Sequence, residues 1–282
     1  MTSLNTARAL VSRLAAALYD FEAYSSKDAI TAAFSEEALL RLCHPLTIGR
    51  DGVAEGGEGY WNRAIGPLAL AMPDLERRPF ISMVGEDGDG HVWVGQGGHY
   101  VGTWGGPFLG IPATGHLAHM RFHEFFRVVD GKIVEVQMIW DLPELMMQSG
   151  CWPMSPSLGR DWCGPGPATC DGLLDGSADP KAGVASCQFV VDMLTAMKRH
   201  PAEGGPELME LDRFWSYHMN WYGPTGIGTG RGIEGFREFH QIPFLAAMPD
   251  RGQKLGNTAH HFFGGRLRCR YGLAQHGPDA NR

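Results

Sequence analysis

The sequence predicts an α+β chain of two tandem domains, each with helices laid across one face of a curved, antiparallel-rich sheet, the second of them truncated. Three observations predict it. In the first half, apolar residues at helical spacing give way after Asp74 to strand-like alternation. A stretch dense in Gly, Pro, Ser and Asp over 151–180, containing Cys163-Gly-Pro-Gly-Pro, cannot hold a helix or a central strand and reads as a linker. On its two sides Pro67, Ala71, Met72, Pro73 and Asp74 recur at a constant offset of 176 as Pro243, Ala247, Met248, Pro249 and Asp250. Glu58-Gly59-Tyr60 likewise recurs as Glu234-Gly235-Phe236, which marks an internal duplication.

The elements follow in order. Leu10, Leu14, Leu18 and Phe21 fall on one helical face, and Arg8, Arg13, Asp20 and Glu22 interrupt the segment, so it reads as a first helix and not as a signal peptide. A second helix is expected over 29–43, with Asp28 as its cap, and a third over 60–72. Strands are expected over 75–84, 91–104, 116–127 and 133–140, turning at Asp87-Gly-Asp-Gly and Asp130-Gly. These elements make a domain over 1–150, then the linker over 151–180, then a second domain over 181–282 with helices at 184–199, 206–215 and 236–248. Only 32 residues follow Asp250, and those from Arg266 onward are rich in Arg and lack alternation. The second sheet is therefore expected to stop short, with an unpaired strand edge and an uncovered helix face.

Composition narrows the function. With 282 residues, 44% hydrophobic and 20% charged, the chain can bury two ordinary cores, which excludes disorder throughout. A net charge of -7 without a basic run argues against a nucleic-acid partner. No apolar segment approaches the roughly 20 residues of a bilayer span, so no membrane association and a cytoplasmic location are expected. The six cysteines, Cys43, Cys151, Cys163, Cys170, Cys187 and Cys269, form no CxxC pair and read as free thiols. His116, His119 and His123 mix the faces of one strand, so no metal site is expected from them. Gly105-Gly106 and the 110–115 loop have no lysine following, which excludes a phosphate loop and leaves them as a flexible rim.

Gly98-His-Tyr-Val-Gly102, then Gly110-Ile-Pro-Ala-Thr-Gly115, then Phe126-Arg-Val-Val-Asp-Gly-Lys-Ile-Val-Glu135 resemble the SnoaL-like polyketide cyclases of the nuclear transport factor 2-like superfold. Met219-Asn-Trp-Tyr-Gly-Pro-Thr-Gly-Ile-Gly228 is similar to the second half of two-domain members. The resemblance implies cone-shaped α+β barrel domains with a deep pocket, a homodimer, and ring closure by intramolecular aldol condensation without metal or cofactor. In the ring-closing members an acid/base aspartate occupies the position of Met138, and a His and a Gln occupy those of Glu124 and Phe122.

On strand alternation, Phe122, Glu124, Met138 and Trp140 share the inner face. Glu124 is the candidate base: Met120, Phe122, Phe126, Met138 and Trp140 would surround it, and apolar company raises a carboxyl pKa. The competing reading makes it the structural partner of an arginine such as Arg121 or Arg127. His119 and Asp141 are the candidate assistants, although Asp141 also fits the N-cap of a final helix. Trp61, Tyr100 and Trp104, with Phe122, Met138 and Trp140, are expected to hold a flat apolar or aromatic carbonyl substrate. The two function classes are a cofactor-free enzyme of lyase or isomerase type, acting α to a carbonyl, and a non-catalytic binding or dimerisation module.

Overall fold

A computed structural model describes residues 3–19, 23–46, 52–161, 172–173 and 179–249. Helix α1 (Leu4–Tyr19) buries Ala7, Leu10, Val11, Leu14 and Leu18, the stripe its spacing predicts, and α2 (Ala23–Thr31) follows. The helix expected over 29–43 stops there. Residues Phe34–Arg41 form strand β1, burying Phe34, Ala38 and Leu40. Ser-Glu-Glu-Ala-Leu-Leu is a good helical string by local propensity. Pairing overrides it: Leu39, Leu40 and Arg41 lie parallel to Glu135, Val136 and Gln137 almost a hundred residues later in the chain.

Strand β2 (Val53–Ala54) borders β1, and the chain then enters a helical cap: α3 (Gly56–Tyr60), a π-helical turn Trp61–Ile65, and α4 (Gly66–Ala71). The wide turn ends next to Pro67, which has no N–H to give a regular helix and whose ring would crowd its carbonyls. Tyr60, Ala64, Ile65, Leu68 and Ala71 point inward. Strands β3 (Glu76–Glu86), β4 (Val92–Thr103), β5 (Leu117–Val129) and β6 (Lys132–Trp140) pair antiparallel in succession, close to their expected limits, and complete the order β2-β1-β6-β5-β4-β3. Helix α5 (Leu142–Gln148) closes the domain. The loop after β4 is pinned and not a loose rim: Gly105 and Gly106 donate to the Ala71 carbonyl at 3.0 and 3.1 Å, and Phe108 and Ile111 are buried.

The second half holds α6 (Pro180–Met197), capped by Asp179 through the Ala182 N–H, then a 3-10 turn Pro206–Met209 and α7 (Leu211–Phe214). The single helix expected over 206–215 is broken because Glu210 adopts a left-handed backbone, φ 50°. Strands β7 (Asn220–Tyr222) and β8 (Thr229–Arg231) form a hairpin, followed by α8 (Gly232–Phe236), a π-helical turn Arg237–Gln241 and α9 (Ile242–Ala247). The stretch after Asp250, the Arg-rich end from Arg266, Cys163, Cys170, Cys269 and most of the linker lie outside the described residues. Cys43, Cys151 and Cys187 are free thiols. Among the described residues no helix is long and apolar enough to cross a membrane.

Candidate functional site

The inner face of the sheet converges on one carboxylate. On β5 the even residues Met120, Phe122, Glu124 and Phe126 are buried, whereas His119 and His123 face outward. Glu124 is 0% exposed and accepts four hydrogen bonds. Its Oε1 takes the Tyr100 hydroxyl at 2.9 Å and the Trp140 indole N–H at 2.8 Å. Its Oε2 takes an Arg77 Nη1–H at 2.7 Å and the Tyr60 hydroxyl at 3.1 Å. Arg77 also donates to the Tyr100 hydroxyl at 2.6 Å and to Gln96 Oε1 at 2.9 Å, while its guanidinium lies 4.0 Å over the Phe122 ring.

Register explains the convergence. Gln96 pairs with Glu124 and Glu124 with Met138, Phe122 pairs with Trp140 two residues along, and Arg77 pairs with Tyr100 two residues further, so β3 to β6 bring their side chains together across neighbouring levels of one face. Gly98 lets them close together. A Cβ there would stand 2.4 Å from the Arg78 carbonyl oxygen and 2.8 Å from the Phe122 ring. Tyr60 enters from the helical cap, stacked on Phe34 at 4.9 Å.

The apolar company expected for Glu124 is therefore absent at the carboxylate itself, although Met138 and Phe126 flank it. Strand alternation identified the same-face neighbours but could not show an arginine and a tyrosine arriving from β3 and α3. The partner is an arginine, as the structural reading required, but it is Arg77 and neither Arg121 nor Arg127. Arg77 and Tyr60 carried one sequence signal each: a charge on the inner face of a strand, and a tyrosine in the duplicated motif.

The electrostatics are those of a closed set. Burial, and then the Glu124 charge, raise the Tyr60 hydroxyl well above its usual pKa. Tyr100 is raised for the same leading reason, and the Arg77 charge only partly opposes it. Both therefore remain donors at ordinary pH. Burial alone would lower Arg77, but the Glu124 carboxylate outweighs it and holds the guanidinium charged. Two buried donors, Arg77 Nε and Trp104 Nε1, have no partner among the described residues.

Of the expected site residues, Glu124, Tyr100, Phe122, Met138 and Trp140 come together. His119 does not: it stands half-exposed on the outer face, its Nε2 3.3 Å from Glu144. Asp141 also faces outward, its carboxylate 2.9 Å from Arg121 Nη2 and accepting the Thr225 N–H at 2.9 Å. It occupies the N-cap position of α5 without a side-chain cap bond, so it is neither a pocket-mouth acid nor a capping side chain. Alternation on β5 turns His119 outward, and Asp141 lies one residue past the end of β6. Trp61 packs half-buried on the π turn beside Gly66, and Trp104 is buried one residue past β4.

The deep pocket is filled at this level: Tyr60, Tyr100, Phe122 and Phe126 are at most 1% exposed. Two surface clefts, one of about 500 Å³ along Asn5, Arg8 and Ser12 and one of about 10 Å³ between Arg121, Arg160 and Gly223, do not reach Glu124. At the β3–β4 turn Asp87, Asp89 and His91 bring ligand-type atoms within 4.8 Å of one another, with the Asp87 carboxylate already bonded to the His91 and Asp89 amides and the Trp93 indole.

Among solved structures, AclR from Streptomyces galilaeus is 22% identical over 54% of this chain and 100% of its own, with a TM-score of 0.44. TsrD from Streptomyces laurentii is 23% identical over 52% and 96%, TM-score 0.41. A SnoaL-like polyketide cyclase from Agrobacterium tumefaciens is 17% identical over 52% and 98%, TM-score 0.39. No curated protein matches this chain. The family model described as SnoaL-like polyketide cyclase matches residues 28–149, a span that runs from α2 through the whole six-stranded sheet to the end of α5. Over that span, which includes Glu124, the chain is similar to the SnoaL-like polyketide cyclase family.

Proposed function

We propose that the first domain acts on a small, flat carbonyl compound by proton transfer α to the carbonyl, with Glu124 as the proton acceptor, held in place by Arg77, Tyr60, Tyr100 and Trp140. The observation that carries the reading is the convergence of Arg77, Tyr60, Tyr100 and Trp140 on one fully buried carboxylate. Such a set is a costly way to fill a core, since an apolar filling of the same volume is often as stable or more so. Perturbed groups gathered in this way point to a site. The unpartnered N–H groups of Arg77 and Trp104 supply two further donors that an oxygen-bearing ligand can satisfy.

In ring closure the Glu124 carboxylate takes the α proton, the carbanion carbon adds to a second carbonyl of the same molecule, and the proton returns to the resulting alkoxide. Each proton and electron pair is accounted for within substrate and side chain, and no cofactor enters. His119 and Asp141 have no part, because they lie on the other face of the sheet.

A second reading, a non-catalytic small-molecule binding or dimerisation module, is favoured by Met138 facing Glu124 where the ring-closing members carry an aspartate, and by the filled interior. One experiment separates the two. Exchange of the α protons of 1-tetralone into D2O is followed by NMR with wild type and with Glu124→Gln. The first reading expects acceleration by wild type and a loss of about 100-fold or more in the variant. No acceleration by wild type, or an unchanged rate in a variant whose near-ultraviolet dichroism is intact, establishes the second.

A further inference from the structure

We infer that residues 180–249 are a second copy of residues 4–73, retained as a built-in partner that docks on the outer side of the first sheet at Arg121 and Asp141. The offset of 176 that relates the two sequence motifs also relates the elements at both ends of the span, whereas in its middle α7 stands where the first copy has strand β1. Helix α1 starts at Leu4 and α6 at Pro180. Gly56–Tyr60, Trp61–Ile65 and Gly66–Ala71 return at the same offset as Gly232–Phe236, Arg237–Gln241 and Ile242–Ala247, in the same order of α-helix, π-helical turn and α-helix. A π-helical turn is a rare element, so two of them five residues long at one offset are not explained by chance resemblance of two helices.

Backbone angles agree at the same offset. Gly52 and Gly228 have φ 63° and 86°, Gly56 and Gly232 have φ 59° and 65°, and each pair needs the left-handed region that glycine permits. Met72 and Met248 leave the two caps at φ -129° and -133°. Within 52–73 and 228–249, 8 of 22 positions are identical.

The second copy lacks the means to repeat the chemistry: Phe236 stands where Tyr60 carries its hydroxyl. Its β7–β8 loop is instead built to dock. Arg121 Nη2 donates to the Gly223 carbonyl at 2.7 Å, and Thr225 donates its N–H to Asp141 at 2.9 Å. The Arg121–Asp141 pair between them is 6% exposed on each side. Residues 157–160, which follow the first domain, run along the same loop: Gly226 donates to Ser157 Oγ at 3.0 Å, Gly159 to the Ile227 carbonyl at 3.0 Å, and Arg160 pairs backbone to backbone with Thr229 at 3.0 and 2.7 Å. A Cβ on Gly159 would stand 2.6 Å from the Thr229 carbonyl oxygen, so the two backbones meet without a side chain between them.

The test uses the full chain with a protease site introduced between residues 163 and 168. After cleavage, the two wild-type fragments are expected to elute together on size exclusion at micromolar concentration. Arg121→Gln, which loses the charge facing Asp141 and Gly223, is expected to weaken their association about tenfold or more. Thr225→Pro removes the other bond from the opposite side and is expected to act in the same direction, so a folding defect confined to one variant cannot mimic the result. Separation of the wild-type fragments overturns the built-in partner. Co-elution of both variants as tight as wild type overturns the assignment of the seam to Arg121 and Asp141.

Discussion

Glu124 shows how far a single position can be read. Its inward direction follows from alternation along β5, and it holds: the side chain is 0% exposed. Its chemistry does not follow, because the groups that define it, Arg77 and Tyr60, sit 47 and 64 residues away in the chain. His119 is the converse case, a residue of the right type on the wrong face. Its hydrogen bond to Glu144, opposed by partial burial, raises its pKa above the ordinary value, whereas burial lowers His99 and His123. A raised histidine contributes stability that is present below about pH 6.5 and lost as pH rises through its folded value. Lowered histidines do the reverse: their contribution is present above about pH 6.5 and lost as pH falls through the folded values. An NMR titration of the imidazole C–H signals is expected to place His119 above His99 and His123, and Glu144→Gln is expected to bring His119 down. The order reversed would break the assignment of the His119–Glu144 contact.

At the scale of elements, the four hairpin strands were legible to within a few residues because alternation and the Asp-Gly turns are local signals. Strand β1 was not, since its place rests on parallel pairing with β6, which no local window contains. The closeness of β3 to β4 at Gly98 is likewise a tertiary fact. Gly98→Ala is expected to lower stability by about 1–3 kcal/mol, as an overpacked site does, because the clashing atoms are mostly backbone. Gly88→Ala, at the β3–β4 turn with nothing within 4 Å of the new Cβ, is the matched control. Urea unfolding of the two variants checks this; equal midpoints would contradict the close approach.

At the scale of the whole molecule, the two helical caps are alike in backbone and unlike in cover. Met72 is 0% exposed beneath the first domain's loop and strands, whereas Met248 is 42% exposed. Mild peroxide treatment followed by mass spectrometry is expected to convert Met248 to the sulfoxide before Met72; oxidation of Met72 first would mean that the first cap is not seated as described. Sequence by itself determined the class of the fold, the run of strands over 75–140 and the recurrence at an offset of 176, because each is written in spacing and composition along one stretch of chain. Tertiary structure alone decided that β1 is a strand, that Arg77 and Tyr60 close around Glu124, that His119 and Asp141 face away, and that Arg121 reaches across to the second half. These are contacts between distant segments, and side-chain reach across a sheet depends on register and crossing, quantities that periodicity does not encode.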